Sequence, residues 1–206
     1  ACETSTGAIL PIKELSKICI ENDILSVVDG ITASGAAPLP MDDWELDVVV
    51  GGSQKAFMLP TGMSFISLSA RAEHIEPEIK SYYFDLKAEK KANMQGKTRY
   101  STPTQFVIGL DLVIAQILEK GLEAHLAEIG ERAKYFRENV SLPLFPKTAS
   151  PSLSCIAVPD GKSGLEIRAK LNQVGVIIVA GQDQLKDSVL RVVHMWDMTH
   201  EDLLKT

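Results

Sequence analysis

The chain is poor in the residues that mark several large functional classes. It holds only three cysteines, at 2, 19 and 155. The number is odd and no two have CxxC spacing, so the sequence spells neither a disulfide framework nor a zinc motif, and no metal site is expected. A reducing, cytoplasmic setting is the expectation that follows. No apolar run approaches the roughly 20 residues that cross a bilayer, and neither a secretory leader nor a membrane partner is expected. The net charge is −6 with the two signs interspersed. Nucleic acid needs a concentrated basic face, and none is written here. Internal repeats and low-complexity tracts are absent as well.

What is present is apolar content of 45% over 206 residues, enough for a sizeable core in one large domain or two small ones. From Pro11 to Asp23, apolar residues at Ile12, Leu15, Ile18, Cys19 and Ile20 fall near helical spacing, with proline early as a helix start prefers. Ile24 to Val28 is a short apolar run stopped by Asp29-Gly30; Asp47 to Val50 is a second, stopped by Gly51-Gly52; Met63 to Leu68 is a third. Strand, helix and strand at this pitch predict an α/β fold with a mainly parallel sheet. Residues 71–99 are polar and charged, with an aromatic cluster at Tyr82-Tyr83-Phe84. A long helical region runs from about Thr104 to Asn139, interrupted near Gly121. Strands over Ser152–Val158, Val176–Val179 and Val189–Val193, with a helix over Gly164–Val174, predict a small C-terminal α+β domain. The expected division is 1–103, a linking helical region 104–140, and 141–206.

Two chemical groups stand at the carboxyl ends of apolar strands. Asp29 follows Val27-Val28, and Lys55 follows Val48-Val49-Val50 after Gly-Gly-Ser-Gln. Ligands of open α/β sheets bind outside those strand ends, so both groups are placed to face one crevice. A lysine amine forms a Schiff base with an aldehyde cofactor and moves protons once displaced. A carboxylate facing a pyridine nitrogen keeps it protonated, and a protonated ring is an electron sink. From spacing alone the plainer reading stays open, in which Asp29 caps a turn and Lys55 is solvated.

The letters themselves narrow this. Glu3-Thr4-Ser5-Thr6-Gly7, Val28-Asp29-Gly30-Ile31-Thr32, Gly51-Gly52-Ser53-Gln54-Lys55-Ala56, Leu59-Pro60-Thr61-Gly62, Tyr83-Phe84-Asp85-Leu86, Tyr100-Ser101-Thr102-Pro103 and Leu190-Arg191-Val192-Val193-His194-Met195 occur in order along the whole chain. Together they resemble the class V aminotransferases, and within them the alanine–glyoxylate and serine–glyoxylate (serine–pyruvate) branch. The resemblance implies a fold-type-I transferase dependent on pyridoxal 5'-phosphate. It implies transfer of an amino group from a small amino acid, alanine or serine, to a small 2-oxo acid, glyoxylate or pyruvate. Lys55 resembles the Schiff-base lysine and Asp29 the partner of the pyridine nitrogen. Thr4 resembles the hydroxyl residue at the cofactor ring substituent, Ile31 the apolar residue on the ring face, and Gln54 the residue beside the phosphate. Thr102 resembles the residue that reaches the phosphate of the neighbouring subunit, which implies a homodimer with shared active sites. Arg191 resembles the arginine that grips the substrate carboxylate.

The residues support plainer readings beside these. Arg191 is a charge inside an apolar strand, able to bind a carboxylate bidentately or to make a structural ion pair. Thr102-Pro103 is a helix-start signal, so Thr102 also reads as an N-cap. His194 and His200 read as structural, and Cys155 as core. Cys2 stands where the family often has His, and Trp196 where it usually has Gly. The resemblance also implies that the loop cradling the phosphate and the aromatic residue stacking on the ring lie outside this chain. Two rivals follow. One is a lyase or cysteine desulfurase on the same fold, which needs a mobile nucleophilic cysteine. The other is a catalytically incomplete fragment or scaffold domain.

Overall fold

The structure is a computed structural model that describes residues 1–75 and 81–206, so part of the polar stretch 71–99 lies outside the described residues. It opens with a hairpin of β1 (Cys2–Glu3) and β2 (Ala8–Ile9), turned at Gly7. Gly7 has φ +71°, and a Cβ there would sit 3.1 Å from the Cβ of Cys155. Only glycine combines that left-handed conformation with so close an approach. The hairpin is held against a distant segment, because Ser150 N donates to Gly7 O at 2.8 Å and Ile9 N to Thr148 O at 3.1 Å.

Helix α1 (Ile12–Glu21) follows, with Pro11 at its N-cap as the sequence predicts. Strands β3 (Val27–Asp29), β4 (Val48–Gly52) and β5 (Ser64–Leu68) form one sheet in that order. The expected parallel pairing is found between β3 and β4, whereas β5 runs antiparallel to β4. The connection from β3 to β4 holds turns and no helix. Pro38, Pro40 and the positive-φ Gly35 break any helical run there. Val28, Leu46 and Ile12 bury a small core beneath this sheet, with Trp44 and Val49 packed on it. The buried Asp47 stitches the strand starts together. Its Oδ2 accepts from Ser26 N at 2.9 Å, its Oδ1 accepts from Ser69 Oγ at 3.0 Å, and Arg71 lies 3.5 Å away.

Short helices α2 (Ala70–Ile75) and α3 (Leu86–Asn93) precede the long helical region. Asp85 caps α3 by accepting from Ala88 N at 3.0 Å. The region itself is two helices, α4 (Thr104–Lys120) and α5 (Leu122–Asn139), broken at Gly121 with φ +88°. The sequence predicts this interruption, and the left-handed backbone explains why glycine sits at it.

The C-terminal strands β6 (Leu153–Ala157), β7 (Val179–Ala180) and β8 (Val189–Val193) pair antiparallel in the order β6-β8-β7. Strand β7 is shorter than the expected Val176–Val179. Its neighbours Val176 and Ile178 contribute to the core outside any ladder. Period-two alternation puts Leu190 and Val192 of β8 into a core with Phe136, Ile156 and Leu203. Helices α6 (Gly164–Gln173) and α7 (His200–Leu204) complete this unit. Thr199 and Asp202 form a reciprocal capping box on α7. Among the described residues no helix is long and apolar enough to cross a membrane.

Candidate active site

The parallel pairing of β3 and β4 fixes the first part of the site. Asp29, at the end of β3, stands opposite Val50, and β4 runs on to Gly51-Gly52. The carboxyl ends of both strands therefore lie at one edge, and the loops carrying Asp29 and Lys55 leave from it.

The lysine loop is closed at its neck by the buried Ser53. The Ser53 hydroxyl donates to Pro60 O at 2.8 Å, Ser53 N donates to Met63 O at 3.0 Å, and Leu59 N donates to Ser53 O at 3.1 Å. Within the loop Met58 takes a left-handed φ of +55°. This allows Met58 N to donate back to Lys55 O at 3.0 Å. Lys55 is half-buried. Its Nζ makes no hydrogen bond or ion pair with any described residue.

Asp29 is exposed, and its Oδ1 accepts from Ile31 N at 2.9 Å. That Asx turn is the turn-capping arrangement. It leaves Oδ2 without a hydrogen-bond partner among the described residues, so one contact does not exclude the other role. Ile31 Cγ2 and the Gln54 side chain crowd Gly52, where a Cβ would meet them at 3.3 and 2.9 Å. Gly52 thus lies between the Ile31 and Gln54 side chains.

Thr4 reaches this edge from the β1–β2 turn, its hydroxyl 2.7 Å from that of Thr32. Thr32 is anchored in turn, since Ser152 Oγ donates to Thr32 O at 2.9 Å. Arg191 arrives from β8. It is buried, with Nε donating to Ala180 O at 2.9 Å and Nη1 to Thr4 O at 3.1 Å. Burial lowers the pKa of its guanidinium, and the neighbouring Cys155 and Glu3 act the other way. Glu3 is itself held below the usual carboxylate range by the Ser5 hydroxyl and backbone N–H. Nη2 of Arg191 has no hydrogen-bond partner among the described residues. The ion pair open at the sequence level is thereby replaced by two carbonyl contacts, with one edge of the guanidinium left over.

A continuous set of contacts thus joins Arg191 to Thr4, Thr4 to Thr32 beside Ile31, and Ile31 across Gly52 to Gln54 and Lys55. Thr102 is not in this set. It is exposed, and its hydroxyl lies 2.6 Å from that of Thr98. It does not cap α4 either: the N-cap is Pro103, with no side-chain cap. Thr98 donates its own hydroxyl to Tyr100 O at 2.7 Å, so Thr102 is the donor of the Thr98–Thr102 pair. Two contacting residues carry no role in the sequence reading, Thr32 and Trp196. Thr32 lies inside the quoted Asp29–Thr32 motif. The Trp196 indole N–H donates to Lys55 O at 3.1 Å.

The residues present fit an aldehyde cofactor with a pyridine ring and a phosphate. They offer an amine without a partner among the described residues, a carboxylate with a spare oxygen, an apolar Ile31 side chain and a hydroxyl pair with spare lone pairs. Lys55, Asp29, Ile31 and Thr4 would hold it, with Gln54 beside them.

Comparison with known proteins identifies the family. A family model described as aminotransferase class V matches residues 1–203. The soluble hydrogenase 42 kDa subunit of Anabaena cylindrica is 30% identical over 98% of this chain and 55% of its own length. The alanine–glyoxylate aminotransferase of Oryctolagus cuniculus is 30% identical over 92% of this chain and 52% of its own. The subgroup IV aspartate aminotransferase of Thermus thermophilus superposes with a TM-score of 0.90 at 29% identity, over 98% of this chain and 59% of its own. The chain spans about half the length of the curated relatives it matches. Its fold is that of the fold-type-I enzymes, and their cofactor is pyridoxal phosphate. The chain belongs to the class V aminotransferase family.

Proposed function

We propose that Lys55 carries pyridoxal phosphate as a Schiff base in an aminotransferase that moves an amino group from alanine or serine to glyoxylate or pyruvate. The observation that carries the reading is the shared strand edge. Parallel β3 and β4 end at one edge, from which the Asp29 and Lys55 segments leave, and Arg191 is hydrogen-bonded to Thr4, whose hydroxyl meets that of Thr32 just after Asp29; this supports the reading. The name of the rabbit relative supports glyoxylate as acceptor.

When bound, the cofactor supplies an electron sink for the carbanion formed at the substrate α-carbon. The protein's part follows from its side chains. Arg191 turns its uncommitted guanidinium edge to the substrate carboxylate and fixes which bond at the α-carbon is aligned. Asp29 Oδ2 holds a proton on the ring nitrogen opposite it. Lys55 Nζ, with no competing partner among the described residues, accepts the α-proton. In this reading residues 1–103 belong to the cofactor unit, 104–140 link and 141–206 form the small unit. A homodimer would bring Thr102 to the partner's phosphate, which its exposed position allows.

The desulfurase rival is disfavoured by Cys155. It is fully buried in β6, and burial pushes its thiol pKa up to about 11. Such a thiol is neither mobile nor ionised. The experiment is Lys55→Ala in the full-length protein. The half-reaction with alanine should fall about a thousandfold or more. Near-normal turnover would overturn the assignment.

A further inference from the structure

Trp196 and Lys55 are 141 positions apart in sequence, yet the indole N–H of the first donates to the backbone carbonyl of the second at 3.1 Å. The same carbonyl closes the Lys55–Met58 turn at 3.0 Å, so both of its lone pairs are committed. The contact is reinforced on either side. Ala56, next to Lys55, and Met195, next to Trp196, are buried in one cluster with Ala36 and Ile129. The Trp196 carbonyl accepts from the Arg132 guanidinium on α5. Arg132 Nε also approaches Glu128 O, and Glu128 pairs with Lys120 of α4 at 2.6 Å. Trp196 is therefore fixed from behind by both long helices while its ring edge holds the lysine loop.

We propose that Trp196 is a positioning residue for Lys55. Its indole N–H clamps the lysine's own peptide, and so sets the direction in which the side chain leaves the backbone. It also ties the segment after β8, which carries Arg191, to the loop after β4. This rests on the reading of Lys55 as the cofactor lysine. The physical reason is economy of motion. A lysine that must reach a substrate α-carbon has four rotatable side-chain bonds, and a loose peptide would add backbone freedom to them. Glycine at 196 would supply no donor, and phenylalanine would keep the ring without the N–H.

The test compares Trp196→Phe and Trp196→Gly with the unaltered full-length protein in two measurements. The first is amide hydrogen exchange of the loop 53–63 in the cofactor-free form. Loss of one hydrogen bond should speed exchange of the Met58 and Leu59 amides about fivefold in Trp196→Phe, with amides of β8 unchanged. The second is steady-state transamination with alanine and glyoxylate. There kcat should fall about fivefold while KM for glyoxylate stays within about twofold. Exchange and kcat in Trp196→Phe equal to those of the unaltered protein would overturn the clamp and leave the Lys55 reading intact. Faster loop exchange in a protein that retains no pyridoxal phosphate on Lys55 would support the clamp as a contact and overturn its catalytic purpose together with the function proposed above.

Discussion

Strand β8 and helix α4 carry apolar residues at equally regular spacing, yet they are finished differently. In β8, Leu190 and Val192 are buried beneath α5, α6 and α7. In α4 no residue is buried, and Leu112 and Leu118 are 61% and 69% exposed. Helix α1 behaves like α4: it buries Ile12 and Ser16 while Leu15 and Ile18 stay exposed. Periodicity tells which face of an element is apolar; it does not tell whether the chain itself supplies the cover. The β6–β8 unit is closed by its own helices, and stability in this chain should concentrate there.

That contrast can be broken by substitution. Leu190→Ala removes a nearly fully buried side chain from the β6–β8 core and should cost about 3 kcal/mol in urea unfolding. The next effect down is electrostatic. His194 is fully buried just past β8, its Nε2 is 2.8 Å from Ser154 Oγ, and its Nδ1 has no hydrogen-bond partner among the described residues. Burial, with Arg137 and Arg132 nearby, drives its pKa down to about 3 from 6.5. The folded state keeps the ring neutral while the unfolded chain takes up a proton below its ordinary pKa. Stability is therefore full above about pH 6.5 and is lost as the pH falls toward 3. About 2 kcal/mol should disappear between pH 7 and pH 5, and His194→Asn should flatten that slope. The smallest effect belongs to the open face: Leu118→Ala should change stability by no more than about 0.5 kcal/mol. A large loss at Leu118 with little at Leu190 would reverse the comparison.

The parts legible in the sequence are those fixed locally. The α4–α5 break at Gly121 and the end of β3 at Asp29 follow from backbone rules acting over a few residues, whereas β4, expected to stop at Val50, runs on through Gly51-Gly52 because both pair with β5. The letters around Lys55 and Arg191 form a family pattern, which makes the family legible. What was not legible depends on distant partners. The direction of β5 is set by pairing with β4, and nothing in Ser64–Leu68 encodes it. The helix-free crossing from β3 to β4 depends on a fold that covers the sheet by other means. Thr102 reads as a cap, yet the N-cap of α4 is Pro103 and the Thr102 hydroxyl lies against Thr98. Trp196 was visible as a departure from the family's glycine, but its contact with Lys55 exists only once β8 and β4 are brought together.

The central claim is that Lys55 is the residue to which the cofactor is attached. The most direct measurement is borohydride reduction of the full-length protein loaded with pyridoxal phosphate, followed by peptide mass spectrometry. The account predicts bleaching of the visible band and a pyridoxyl mass on the peptide containing Lys55. Reduction that leaves that peptide unmodified, with the label on another lysine, would contradict it.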